Sequence, residues 1–353
     1  MNTRKDTPYA DKSFLVTGGA GFIGSHVVDA LLLQGATVYA IDDFNDYYDP
    51  ALKTLNLAAA LEHPRFKLYK ADIRDAHAMA AIFQDIGPKL SEQHGAIVHL
   101  AARAGVRPSL SQPQLYLETN VNATLTLAEL ARNYGIRRFI LASSSSVYGE
   151  RGQQTTQKPL DDFTGFEETD DVSKPISPYA SSKAMAESLL HTYAHLHGLE
   201  TVALRFFTVY GPRQRPDLAI HKFTRLIHQD RPIEVYGDGS ARRDFTYIDD
   251  ILQGILAAIS FSAFTTGTPF EVFNLGESQT ITVARLIETI ELALGKSAQI
   301  NWQPAAPGDV TLTCANINKA KKLLGYTPST PIQLGIPRFT DWFLASQQTP
   351  ALV

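Results

Sequence analysis

Tyr179 and Lys183 stand four residues apart in SPYASSKAMAES, so on a helix the phenol and the ammonium share one face. Ser177 is a helix-capping residue by type and Pro178 suits the first helical position, which puts Tyr179 in the first turn. There the helix dipole favours an anion, and a nearby ammonium lowers the phenol pKa further. A tyrosinate close to neutrality is a usable general base for a hydroxyl. The spacing alone is common on protein surfaces; a second motif gives it meaning.

That motif is VTGGAGFIGSH, in which Gly18, Gly21 and Gly24 make a GxxGxxG pattern between a first strand and a first helix. Glycines here permit a tight turn and close backbone approach to a pyrophosphate on the helix N-terminus. The next strand, TVYAI, delivers Asp42 where an adenosine ribose would lie. A carboxylate there accepts from the 2′-hydroxyl and repels a 2′-phosphate. With Asp43 beside it and no adjacent arginine, NAD is favoured over NADP. KADIR sets Asp72 and Ile73 at an adenine edge, and HLAAR sets Leu100, Ala101 and Ala102 where a flat cofactor packs.

The elements that must hold these residues alternate. The strands SFLVT, TVYAI, FKLYKADI, AIVHLAA, RFILAS and TVALRFF are separated by helical patterns such as HVVDALLLQG, with Gly35 at its end, and ATLTLAELARNYG. This order predicts an α/β fold with a Rossmann-like, doubly wound parallel sheet. After Thr208 proline becomes more frequent and the elements shorten, which predicts a smaller C-terminal substrate lobe. The expected division is residues 11–207 with 243–264 returning to the first domain, and 208–242 with 265–345 in the second. Asp249 and Asp250 are expected to cap the helix that opens ILQGILAAIS.

Composition narrows the function. The chain has 353 residues, 44 % apolar and 19 % charged, with a net charge of −4. No basic footprint argues for nucleic acid, and no apolar stretch is long enough to span a bilayer. The polar start MNTRKDTPYADK lacks the apolar core of a signal peptide, and Cys314 is the only cysteine. Both fit a cytoplasmic protein without disulfides.

GGAGFIGSH, LASSSSVYG, SPYASSK and RRDFTYIDD together resemble the extended short-chain dehydrogenase/reductases that act on nucleotide sugars, over nearly the whole chain. DDFNDYYDPALK, AARAGVRPSL, LRFFTVYGPRQRPDLA and HKFTRLI most resemble the UDP-glucuronate 4-epimerases within them. The resemblance implies that Tyr179, Lys183 and Ser144 carry catalysis through a transient 4-keto sugar, with tightly held NAD and a homodimer. It implies cofactor contacts from Phe22, Ile23, Asn45, Arg103, Asn120, Ser143 and Phe207. For the UDP-sugar it implies Arg243 on the diphosphate, Arg215 near the sugar carboxylate, Thr208 facing the sugar, and Ile233, Val235 and Tyr236 near the uracil. Arg107 is a weaker substrate candidate. Ser145 and Ser146 would hold the C6 carboxylate, since a uronic 4-keto intermediate is a β-keto acid prone to lose CO₂.

Two features separate this chain from relatives. Ser146 stands directly before VYG, where decarboxylases and dehydratases of the family usually carry a glutamate. Ala306, in QPAAPGDV, stands where many neutral-sugar relatives carry a second diphosphate arginine. The alternatives are a UDP-glucose or UDP-N-acetylglucosamine 4-epimerase, a UDP-glucuronate decarboxylase, and an inactive NAD-sensing protein, which would have lost Tyr179 or Lys183. His191, His195 and His197 read as a solvated helix face, as do His221 and His228.

Overall fold

The structure is a computed structural model describing residues 8–150, 165–304 and 311–348. Its strands are β1 (Ser13–Thr17), β2 (Thr37–Asp42), β3 (Phe66–Lys70), β4 (Ala96–His99), β5 (Arg138–Ser144), β6 (Glu200–Phe206), β7 (Thr208–Tyr210), β8 (Ile233–Tyr236), β9 (Arg242–Tyr247), β10 (Phe270–Leu275), β11 (Thr280–Thr282) and β12 (Ile300–Gln303). Seven of them form one sheet in the order β10-β6-β5-β4-β1-β2-β3. β1 pairs in parallel with both β2 and β4, β2 with β3, and β4 with β5. This is the doubly wound arrangement expected.

The strand order reverses between β1 and β4, where Thr17 lies opposite His99. Ligands of such sheets bind beyond the carboxyl ends of the strands at this reversal. The central strands earn their place by composition: β1 and β4 are buried along their whole length, as apolar runs covered on both faces must be. Beneath the helices that cover them, Leu15, Ile41, Phe83, Ile97 and Phe139 share one core. β10, in FEVFNL, is the strand of this sheet that the sequence did not announce.

The chain divides into two compact units. Unit 1 comprises residues 1–147, 177–204 and 255–272; unit 2 comprises 148–176, 205–254 and 273–353. The return into unit 1 thus falls later than the expected 243–264. The reason is local: β9 pairs with β7 and β11, all within unit 2. Residues 148–176 join unit 2 because Phe166 bridges Ala315, with backbone bonds to Cys314 and Asn316. β8 and β12 form a separate parallel pair.

The helix Ile248–Ser260 begins one residue before the expected caps, so Asp249 and Asp250 lie in its first turn. Asp250 accepts instead from the backbone N–H groups of Ser329 and Thr330, at 2.9 and 3.1 Å. No helix among the described residues is long and apolar enough to cross a membrane.

Candidate active site

In unit 1 the glycine loop has the geometry of a phosphate cradle. Gly18 has φ +68°, and a Cβ on it would lie 2.8 Å from the Ala101 backbone nitrogen. A Cβ on Gly24 would lie 2.0 Å from the Gly18 carbonyl oxygen, so no other residue fits there without moving the loop. The helix Phe22–Leu33 starts after Gly21 with no side-chain cap and no acidic residue in its first turn. Its leading N–H groups and positive dipole end therefore suit an anion. The loop, the uncapped helix and the acidic strand end fit a dinucleotide. Phe22 is buried, and Ile23 is partly so.

Asp42 ends β2 as expected, but it is more heavily bonded than a bare ribose acceptor. Oδ2 accepts from Ala20 N at 3.1 Å, and Oδ1 accepts from Phe44 N at 2.9 Å. Lys53 Nζ, itself buried, donates to Oδ1 at 3.1 Å and lies 3.6 Å from Asp43. Lys53 belongs to the short helix Pro50–Asn56, capped by Asp49. Sequence reading passed over it within NDYYDPALK; the signal available was a lysine set just after the Asp-Pro start of a helix. Asn56 closes the loop by donating to the Ala20 carbonyl at 3.0 Å.

Asp72 is gripped by Arg74, whose Nη2 donates at 2.6 Å and Nε at 2.9 Å. Burial alone would raise the Asp72 carboxyl, but the bonds from Arg74 outweigh it and hold the group below the ordinary range. Ile73 beside it is buried. Asn45 donates to Asp43 and accepts from Tyr47 N, which shapes the turn after β2. The Arg103 guanidinium lies over the Tyr47 ring, 5.7 Å from its centroid.

A buried polar chain joins the ends of β1 and β4 to the helix that carries Tyr179 and Lys183. Leu100 N donates to the Thr17 carbonyl, and Ala101 N to the Thr17 hydroxyl; Ala102 follows, partly buried. His99 bonds Thr17 Oγ1 at 2.7 Å and Thr124 Oγ1 at 3.0 Å. Burial, with a smaller push from Lys183, pulls His99 down to about 3, so it is neutral under ordinary conditions. Thr124 donates to the carbonyl of Asn120, which lies in a π-helical turn, Glu118–Asn122. Such turns concentrate at functional sites. Asn120 accepts from Arg103 N and donates to both Arg103 O and Ser182 Oγ, all at 2.8–2.9 Å.

The helix Pro178–His197 carries Tyr179 and Lys183 as expected. Ser177 Oγ caps it by accepting from Ala180 N at 3.1 Å. Tyr179 packs edge-on against Tyr116, with ring centroids 6.1 Å apart. Lys183 is buried and its Nζ donates to the Ala142 carbonyl at 2.8 Å. Burial pulls the ammonium down to about 8, and the charge of Glu187 opposes the fall. The serine run is ordered. Ser144 Oγ accepts from Ser146 N at 3.2 Å and bonds Ser146 Oγ at 3.2 Å, while Ser145 opens a short 3₁₀ turn. Ser143, at the end of β5, donates its hydroxyl to the buried carboxylate of Glu187. Arg107 lies exposed on the helix Val106–Ser111.

Unit 2 holds the other candidates. Phe207 is buried and donates its N–H to the Leu275 carbonyl, and Thr208 opens β7. Arg243 lies on β9 with Nη1 donating to the Arg242 carbonyl at 3.0 Å. The strand is fixed by Asp244, whose carboxylate accepts from the N–H groups of Glu277, Ser278 and Ala315. Arg215 grips Asp217 with both Nε and Nη2, at 2.9 and 2.8 Å. Strand alternation turns the side chains of Ile233 and Val235 into the core and leaves Tyr236 as the exposed member of the three. His221 is corrected, since it is buried against Phe339, Trp342 and Phe343 and bonds the Gln214 carbonyl at 2.6 Å. Ala306 lies outside the described residues.

Comparison with known proteins places this architecture. Residues 15–339 match the family model described as GDP-mannose 4,6 dehydratase. The UDP-glucuronate 4-epimerase of Thermodesulfobacterium geofontis (strain OPF15) is 40 % identical over 330 residues, covering 93 % of this chain and 95 % of that one. A crystal structure of UDP-glucuronic acid 4-epimerase from Bacillus cereus, in complex with UDP-glucuronic acid and NAD, superposes with a TM-score of 0.83 at 35 % identity. The alignment covers 95 % of this chain and 99 % of that one. The UDP-glucose 4-epimerase of Thermotoga maritima, solved with UDP-glucose, gives a TM-score of 0.82 at 31 % identity, over 95 % and 100 % of the two chains.

Proposed function

The chain belongs to the GDP-mannose 4,6 dehydratase family, and from that premise we propose that it is a UDP-glucuronate 4-epimerase, interconverting UDP-glucuronate and UDP-galacturonate with bound NAD. One observation carries the reading. A single unit holds both the dinucleotide cradle and the Tyr179–Lys183 helix, in a chain similar over nearly its full length to UDP-glucuronate 4-epimerases. The similarity to a UDP-glucose 4-epimerase is lower in identity and fits less well.

The residues divide the work. Tyr179, helped by Ser144, takes the proton of the sugar 4-hydroxyl and later returns it to the C4 oxygen on the other face. Bound NAD supplies the acceptor and then the donor of the C4 hydride. Lys183 stabilises the Tyr179 phenolate and bonds the nicotinamide ribose. Gly18, Gly21 and Gly24 bring backbone close to the pyrophosphate, and Asp42 receives the adenosine ribose hydroxyl. Arg243 meets the UDP diphosphate, and Arg215 meets the uronate carboxylate, where a guanidinium fork gives bidentate bonds. Ser145 and Ser146 restrain that carboxylate against loss of CO₂.

In this reading unit 1 is the NAD-binding part and unit 2 carries the nucleotide-sugar residues. Exposed Leu125, Met185 and Leu196, on the helices Ala123–Tyr134 and Pro178–His197, support a homodimer through those helices. The single cysteine, Cys314, supports assignment to the cytoplasm.

Incubating the purified protein with UDP-glucuronate and separating the nucleotide sugars by chromatography tests the reading. UDP-galacturonate should accumulate to a constant ratio without added NAD. Brisk turnover of UDP-glucose with an inert uronate would reassign the chain to neutral sugars, and UDP-xylose would reassign it to decarboxylation.

A further inference from the structure

Glu187 takes no part in the reaction outlined above, yet its side chain is buried in unit 1. It lies one helical turn beyond Lys183, and both face the end of β5. The two side chains grip adjacent residues there. Lys183 Nζ donates to Ala142 O, and Glu187 accepts from Ser143 Oγ; Ser144 is next in the chain. A carboxylate is costly to bury unless charge or donors compensate it, and Lys183 brings an opposite charge one turn away on the same helix.

We propose that Glu187 is a positioning residue: its buried charge keeps Lys183 protonated, and its bond to Ser143 fixes the strand end from which Ser144 acts on the substrate. The charges around Lys183 support this. On its own helix stand Tyr179 and Glu187. From β4 comes His99, held neutral by burial; β5 brings Ala142 and Ser143 at its end, and its charged residue, Arg138 at its start, pairs with Glu200. The helices packed against this one bring Arg107, Glu118, Glu129 and Arg132. Glu118 pairs with Arg74 and Gln114, and Glu129 with Arg132 and Tyr193. Glu187 is thus the carboxylate that sustains the lysine charge, in accord with the direction of its effect on the ammonium. A Lys183 that has lost its proton no longer stabilises a Tyr179 phenolate or repels a proton from it, so turnover fails.

The inference rests on Tyr179 and Lys183 acting as proposed, and its test is the pH profile of kcat for full-length, NAD-loaded protein. In Glu187→Gln the alkaline limb should move down by about one pH unit or more, as expected for losing one buried opposite charge nearby. Ser143→Ala keeps the charge and should leave that limb in place while lowering kcat. Glu187→Asp, also charged, should restore the limb, and it serves as the comparison if Glu187→Gln is poorly folded by circular dichroism: a limb displaced in Glu187→Asp then overturns the proposal. An alkaline limb unmoved in folded Glu187→Gln overturns it too. If the wild type ignores UDP-glucuronate but turns over UDP-glucose, the assigned substrate fails and the same profiles, measured on UDP-glucose, still decide the role of Glu187.

Discussion

Lys53 Nζ lies 3.1 Å from Asp42 Oδ1, with each side chain only 5 % exposed. The carboxylate expected to define the cofactor ribose site is therefore one half of a buried ion pair, additionally held by two backbone N–H groups. Lys53→Met should leave Asp42 with an uncompensated buried charge and destabilise the protein by about 3 kcal/mol. Chemical denaturation measures this, and the NAD retained through gel filtration should fall as the loop after β2 loosens. Unchanged stability would mean that the backbone donors suffice for Asp42.

Tyr179→Phe removes the phenolic oxygen while keeping the ring that packs on Tyr116. Turnover of UDP-glucuronate should fall by about a thousandfold or more, the upper range for a lost general base. Bound NAD, measured by absorbance after denaturation, should stay at the wild-type level. Near-normal turnover would remove Tyr179 from the base position.

Arg215→Ala should lower kcat/KM for UDP-glucuronate by about a hundredfold, the scale of a charge-assisted bidentate contact. A neutral UDP-sugar should lose far less, because it has no carboxylate to bind. Equal losses on the two substrates would make Arg215 a general binding residue.

Burial in unit 2, with repulsion from Asp250 and Asp244, pushes Glu277 up to about 7. One of its carboxyl oxygens, Oε2, has no hydrogen-bond partner among the described residues. An unfolded glutamate titrates near about 4.3, so between that pH and 7 the folded chain holds a proton that the unfolded chain has released. The contribution of Glu277 is thus full at low pH and is lost as pH rises through about 7. Glu277→Gln should be more stable than wild type at alkaline pH, by about 1 kcal/mol after allowance for solvent screening. At pH well below neutrality the gap should close. Thermal denaturation across pH reads both arms, and a constant gap would refute the titration of this group.

Much of the fold was readable because its signals are local. Apolar runs ended by glycine, and helices bounded by Ser177-Pro178 or Gly35, gave the alternation that fixes a doubly wound sheet. β10 escaped because its burial starts only halfway along, so it lacks the continuous apolar run of the central strands. The return to unit 1 starts at 255 rather than 243 for a related reason. The apolar content of residues 243–254 suits either unit, and the pairing of β9 with β7 and β11 holds them in unit 2. His221 reads as polar in a row of letters, but three aromatic rings and one carbonyl make it a core residue.

The sequence by itself determined the chemistry on offer: a glycine loop only a small residue can form, an acidic strand end, and a tyrosine and lysine one turn apart. These follow from spacing within a few residues, which backbone geometry converts directly into position. The tertiary structure alone decided which charges neighbour them. Lys53 reaches Asp42 across 11 residues, and Glu187 reaches Ser143 across 44. Partners that distant meet only when helices dock on the sheet, and burial there then sets the cost and the strength of each charge.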